Sequence, residues 1–498
     1  MGLDNLRPTL DRYLRLIAPV VAQEDFYHTK KLVGAFGISG GQGEKLQQLL
    51  KKIAETKENW VLDWWIDDMY MNNPASLPMN SNPGLMFPRH NISTAREWIR
   101  FAAQFISGIL DYKTIIDQRQ LPIDRVSHNR KGQPLCMEQY YQLFTSYRYP
   151  GLLKDSHDTK IMHDPFDSEY IIVAYKNQFF VLDVIANGQR FEEEEFYIQL
   201  RRIVQLVDEN PQDMQPQIGI LTSSPRRQWG AVYQHMLKSQ VNAANLEKIA
   251  KSVFILCLDN SASGILSSRD EDYDDSILMD TDALHSCNMD IAEPCDRLAF
   301  EPRNEEAVIR QMLHGVQIDS QAGNRWYDKT MQFIIDRDGN FGLNYEHSVA
   351  EGIAVIRLVE HILAYMNEIK RWKLTRYASI CERAQPLRLK WQLDDFIQEA
   401  LGAAIEHNKN TANDLNLEIV RFNDYGREFP KIVNMSPDSW IQLALQLSHY
   451  KSHGYLVHTY ESASIRRFHL GRVDNIRSSS VPALEWVKAM VDSKHLIS

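Results

Sequence analysis

The chain has 498 residues, 44% hydrophobic, 24% charged and 10% aromatic, a globular balance that excludes collagen-like, coiled-coil and wholly disordered chains. Lys+Arg 55 against Asp+Glu 65 gives a net charge of −10, which repels phosphate backbones and sets nucleic acid aside as a general partner. At this length two or three lobes are expected, each with its own core. The first hundred residues read as helices. From Glu44 to Met71 the apolar positions Leu46, Leu49, Leu50, Ile53, Trp60, Trp64 and Trp65 recur at three and four. The preceding SGGQGEK, 39–45, lacks the full GxxxxGK[ST] pattern and reads as a turn before a helix start.

The middle alternates strand and helix signals. Residues 170–175 and 179–185 are β-branched and aromatic runs joined at Lys176-Asn177-Gln178, a hairpin pattern. Glu192 to Glu195 open a helix with acid at the positive end of its dipole. Residues 218–222 and 252–259 read as short strands around a helix carrying Trp229 and Tyr233. Mixed strand order is expected. The acidic stretch 262–300 reads as a solvated loop, since its spacing matches no calcium loop. Residues 393–413 form an amphipathic helix pattern and 415–422 a strand pattern. Ser436 and Pro437 then start a helix with Trp440, Leu443, Ala444 and Leu447 on its buried face, ended by Gly454.

Five widely spaced cysteines, Cys136, Cys257, Cys287, Cys295 and Cys381, include no CxxC pair. Reduced thiols in a cytosol-like compartment are expected, with no disulfide frame and no metal site. MGLDNLRPTL has no basic segment followed by an apolar one, and Leu6 breaks the myristoylation pattern. No apolar run approaches the ~18–20 residues of a membrane span, so no integral membrane segment is expected. The GxGxxG string of a dinucleotide fold is absent.

One stretch points to chemistry. Residues 331–336 and 341–347 flank the turn Arg337-Asp338-Gly339-Asn340. Phe341, Leu343, Tyr345 and His347 then share one strand face by the period of two. His347 is thus expected to point inward at a strand end, four residues before Glu351. Most such histidines are satisfied core residues, but a neutral imidazole there can take a proton from an alcohol.

Four strings carry a resemblance: YEHSVAEG (345–352), PLCMEQYYQLFTSYRYPG (134–151), GNRWYDKTMQF (323–333) and TYESASIRRFHLGRVDNIRS (459–478). In order and in content they resemble the carnitine/choline acyltransferases, over nearly the whole chain. GRVDNIRS, with Val473 where carnitine members carry Thr, is similar to the choline branch. The resemblance implies two chloramphenicol-acetyltransferase-like lobes, each a mixed β-sheet flanked by helices, with an active-site tunnel between them. It implies a helical N-terminal segment, residues 1–85, packing with the C-terminal lobe, a catalytic lobe 86–388 with His347, and a CoA- and choline-binding lobe 389–498.

The implied reaction moves acetyl from acetyl-CoA, a cosubstrate rather than a tightly bound cofactor, to choline, making acetylcholine. Short-chain acyl transfer to carnitine, or an inactive form that only binds CoA, are the alternatives. By resemblance His347 is the general base with Glu351 beside it. Arg427, Lys431, Asp438 and Ser464 would contact the coenzyme, and Tyr460, Ser462 and Val473 the acceptor. A cytoplasmic monomer of nerve cells and their terminals is implied. Three departures stand out. No LPxLPVP-type signature precedes LRPTL, and 262–300 is longer than its counterpart. Family chains also continue beyond the helix 481–491 into a Ser-Thr-Ser-type oxyanion motif, so the second lobe is expected to be incomplete.

Overall fold

The β-rich runs of the middle third build one sheet. In the computed structural model, residues 5–126, 132–144, 146–159, 169–186, 188–260, 304–315, 321–369 and 385–492 are described. The acidic stretch 262–300, with Cys287 and Cys295, and also Cys381 lie outside them. Two compact units result: residues 66–121 with 139–419, and residues 1–65 with 122–138 and 420–498.

The larger unit contains β1 (Gly84–Met86), β2 (Ser146–Tyr149), β3 (Ser156–Thr159), β4 (Glu169–Tyr175), β5 (Gln178–Ala186), β6 (Gln189–Arg190), β7 (Ile255–Asp259), β8 (Met331–Asp336), β9 (Phe341–Tyr345) and β10 (Leu387–Arg388). Eight of them form a mixed sheet in the order β1-β9-β8-β7-β4-β5-β10, with β6 against β5; β2 and β3 pair separately. The parallel pairs β4–β7 and β7–β8 lie at its centre and the other pairs are antiparallel. Helices cover both faces. Phe105, from the helix Ala95–Asp117, packs edge-on against Phe333 and Phe341. On the other face Trp229, Trp326 and Trp391 pack with Ile172, Ala174, Ile255 and Ile334.

Local chemistry explains the joints. The β4–β5 hairpin turns on Lys176 and Asn177, both at positive φ, as a two-residue turn matching strand twist requires. In the β8–β9 hairpin Asp336 accepts from the backbone of Asp338 and Asn340 at 2.9 and 2.8 Å. Gly339 stands there at φ +79, where a Cβ would meet the His90 carbonyl oxygen at 1.9 Å. Glu192 and Glu195 form a reciprocal cap at the start of the helix Glu193–Asp208.

Two expected strands are absent. Residues Ile218–Ser223 form a 3₁₀ turn, because the Thr222 and Ser223 hydroxyls donate to the carbonyls three residues back, both at 2.7 Å. Residues 415–422 pair with no strand: Arg310 donates to the Leu415 carbonyl, and Val420 is 81% exposed. The helix Asp395–Asp414 belongs to this unit, burying Ile397, Leu401 and Ala404 in the tryptophan-lined core.

The smaller unit has helices Leu6–Ile17, Gln23–Phe36, Gln42–Thr56, Glu428–Ile432, Pro437–His453 and Val481–Val491, and a ribbon of β11 (Tyr460–Ser464) and β12 (Val473–Arg477). SGGQGEK is a turn: the Glu44 carboxylate accepts from the Gly40 N–H at 2.6 Å, and Gln42 opens the helix. Ser436 caps its helix and Gly454, at φ +79, ends it. Leu443, Leu447 and Tyr450 pack on Leu456, Ala483 and Val487, whereas Ala444 is exposed. Gln446 takes the buried place instead, because its amide donates to the Thr459 hydroxyl at 2.9 Å.

Candidate active site

His347 lies two residues beyond the end of β9, so strand alternation does not aim it. All five residues of β9 are buried, on both faces. The imidazole is held by its neighbours instead. Its Nδ1 is 3.0 Å from the Tyr70 hydroxyl, and the two rings stack at 5.6 Å with 24° between their planes. Tyr345 lies against the imidazole at 5.3 Å. Nε2 is 3.9 Å from the Glu351 carboxylate, an ion-pair distance once the ring is protonated and too long for a hydrogen bond. The His347 side chain is 22% exposed and that of Glu351 14%. Tyr70 belongs to a π-helical turn, Asp67–Met71, and Glu351 precedes the helix Gly352–Ile369. The Glu351 N–H donates to Gln139 Oε1 at 2.8 Å.

Behind the imidazole runs a buried ionic network. Glu346 accepts from Arg148 Nη1 at 3.0 Å and from the Ser348 hydroxyl at 2.6 Å. Arg148 also donates to Asp155 at 2.8 Å, and Arg226 donates to the same oxygen at 2.6 Å. Arg226 continues to Asp328 at 2.7 Å, whose other oxygen accepts from Trp229 Nε1 at 2.5 Å. Burial pushes the Asp328 carboxyl up, against the pull of Arg226 and Trp229. Removing one partner of such a pair strands a buried charge, at a cost of about 3–5 kcal/mol.

The other expected residues lie in the smaller unit. Arg427 stands at the residue before the helix Glu428–Ile432 and Lys431 sits in it. Both cations reach the Glu428 carboxylate, at 3.3 and 2.8 Å, and remain exposed. The Lys431 hydrogen bond, first among several causes, holds the Glu428 carboxyl below its ordinary range. Asp438 is exposed in the first turn of Pro437–His453. Tyr460, Ser462 and Ser464 alternate along the exposed face of β11, and Val473 pairs with Ser464 across the ribbon. One face therefore carries all four. His347 and Glu351 form one group, and these residues form others within their own unit.

A family profile described as Choline/Carnitine o-acyltransferase matches residues 3–497. The chain belongs to this family. Among its relatives, a choline O-acetyltransferase of Danio rerio is 41% identical over 494 residues, covering 99% of this chain and 71% of that protein. One from Gallus gallus is 40% identical over 496 residues, with the same coverage. A carnitine O-acetyltransferase of Rattus norvegicus is 35% identical over 490 residues, covering 98% of this chain and 71% of its own length. The chain is thus an acyltransferase enzyme. Among the described residues, no helix is long and apolar enough to cross a membrane.

Tyr70, Glu346 and the Arg148–Asp155–Arg226–Asp328 network carry no role in the sequence pattern alone. A signal existed for some of them. Arg148, Asp328 and Glu346 all fall within the strings that resemble the choline/carnitine acyltransferases, as charges among residues that read as core. Tyr70 falls inside a helical pattern and carries no such mark.

Proposed function

We propose that the chain transfers the acetyl group of acetyl-CoA to choline, with His347 as general base. The observation that carries this reading is the imidazole itself: partly exposed, fixed through Nδ1 by Tyr70, and presenting Nε2 toward a carboxylate. For Nε2 to accept a proton, Nδ1 keeps its own and donates it to the Tyr70 oxygen. Nε2 takes the choline hydroxyl proton as that oxygen attacks the thioester carbonyl. The C–S bond then breaks, and the leaving CoA sulfur receives the proton from the imidazolium. Glu351 stabilises the imidazolium without moving a proton. Arg427, Lys431, Asp438 and Ser464 are assigned to the coenzyme, and Tyr460, Ser462 and Val473 to the acceptor. Choline is preferred over carnitine because Val473 offers no hydrogen bond to a carboxylate. The higher identity to the choline enzymes supports the same choice.

The test is acetyl transfer from labelled acetyl-CoA to choline, to carnitine and to no acceptor. Choline should be the better acceptor. His347→Ala should lower turnover by ~10²–10⁴-fold while leaving coenzyme affinity nearly intact; Glu351→Gln should cost less. Near-normal turnover in His347→Ala removes the base assignment, and preference for carnitine removes the choline assignment.

A further inference from the structure

One buried side chain ties Tyr70 to His347, and the reaction scheme gives it no task. Arg148 is 1% exposed and uses all three guanidinium nitrogens. Nη2 donates to the backbone carbonyl of Tyr70 at 2.6 Å, Nη1 to Glu346 at 3.0 Å, and Nε to Asp155 at 2.8 Å. The first two partners matter most. Tyr70 supplies the hydroxyl against His347 Nδ1, and Glu346 immediately precedes His347. Glu346 is fixed in turn by Ser348, which donates to it from its hydroxyl at 2.6 Å and its N–H at 3.2 Å. Both neighbours of His347 are therefore tied to one carboxylate, and that carboxylate to Arg148. Asp155 anchors the fork from behind through Arg226 and the Gly151 N–H at 3.0 Å.

We propose that Arg148 is a positioning residue for the base. Its rigid planar fork holds the Tyr70 and Glu346 segments at one spacing, and so sets the contact between the Tyr70 hydroxyl and Nδ1. With Nδ1 donating to the Tyr70 oxygen in that contact, Nε2 is the nitrogen left to accept a proton. A lysine keeps the charge but offers a single ammonium, which cannot match three fixed acceptors in one plane. The catalytic part of the proposal rests on the reading of His347 as base, because a base at Nε2 needs the Nδ1-protonated tautomer. Misplacement by about 1 Å is enough to cost ~10²-fold in turnover.

The test uses the intact protein and two readouts. In the first, ¹⁵N spectra of the His347 ring report its tautomer. The wild type should carry the proton on Nδ1. Arg148→Lys and Tyr70→Phe should each shift the ring toward the Nε2-protonated form. The second readout is a double-mutant cycle on kcat. Each single variant should lose up to about 10²-fold with far smaller changes in KM, and the double variant should be no worse than the weaker single, because both break one contact. If Arg148→Lys does not fold, Glu346→Gln loosens the same grip with a smaller tautomer shift. A wild-type tautomer in the folded Arg148→Lys or Glu346→Gln protein overturns the proposal, as does full multiplication of the two kcat losses. If instead His347→Ala retains turnover while the tautomer shifts occur, the base reading fails and the positioning of the ring stands.

Discussion

At the scale of single residues, the smaller unit presents two cations gathered on one carboxylate. Arg427 and Lys431 both reach Glu428, and their exposure leaves them open to a stronger anion. A dianionic phosphate offers more acceptor oxygens than a carboxylate and competes for the same donors. If the pair reads the 3′-phosphate of the coenzyme, Arg427→Ala with Lys431→Ala should weaken CoA roughly tenfold or more, with little effect on dephospho-CoA. Glu428→Gln, which releases both cations, should move that selectivity the other way. Isothermal titration with the two ligands decides: equal weakening of both would make these plain surface charges. The sequence singles out His347 because it lies in the string YEHSVAEG and its residue type is chemically marked, whereas Arg427 and Lys431 are assigned to the coenzyme by resemblance alone. Tyr70 was not legible, because its role comes from a π-turn that brings its hydroxyl to an imidazole far away in sequence.

Elements were legible where side chains dictate backbone conformation locally. The two hairpins, the Ser436 cap and the Gly454 stop all follow from residues that favour one turn or one cap. Residues 218–222 were misread because their apolar run satisfies a strand pattern, while hydroxyl-to-carbonyl bonds from Thr222 and Ser223 close a 3₁₀ turn over Ile218–Ser223. Residues 415–422 failed for a different reason, since a strand exists only where a neighbour offers a ladder. Two glycines separate conformation from crowding. Gly339 and Gly454 share φ +79, yet a Cβ at Gly339 would meet backbone at 1.9 Å while one at Gly454 meets nothing within 4 Å. Gly454→Ala should therefore cost only the left-handed penalty, about 1 kcal/mol. Gly339→Ala must also push the His90 segment aside, and should cost clearly more. Urea unfolding of the two variants checks the order, and equal losses would show that the hairpin gives way freely.

For the molecule as a whole, the buried charges of the larger unit make its stability depend on acid. His314, at the end of the helix Glu305–His314, is 1% exposed. Burial, with the nearby positive charges of Arg310 and Arg325, pushes its imidazole down to about 4. In the unfolded chain the same group titrates near its ordinary 6.5. Below pH 6.5 the unfolded chain thus binds a proton that the folded one refuses. Stability falls as the pH drops from about 6.5 to about 4, and there the contribution levels off. Asp328 acts in the opposite sense: its raised carboxyl pKa makes the folded form take up a proton before the unfolded one. The histidine alone accounts for up to about 3 kcal/mol across its window. His314→Gln, a neutral replacement, should be less stable than wild type at pH 7.5, and the gap should narrow steadily toward pH 4.5. Denaturant midpoints at four or five pH values measure this. A gap that stays constant would mean that the folded imidazole takes up its proton over the same pH range as the unfolded chain, and a gap that widens toward low pH would mean that a nearby carboxylate holds it charged.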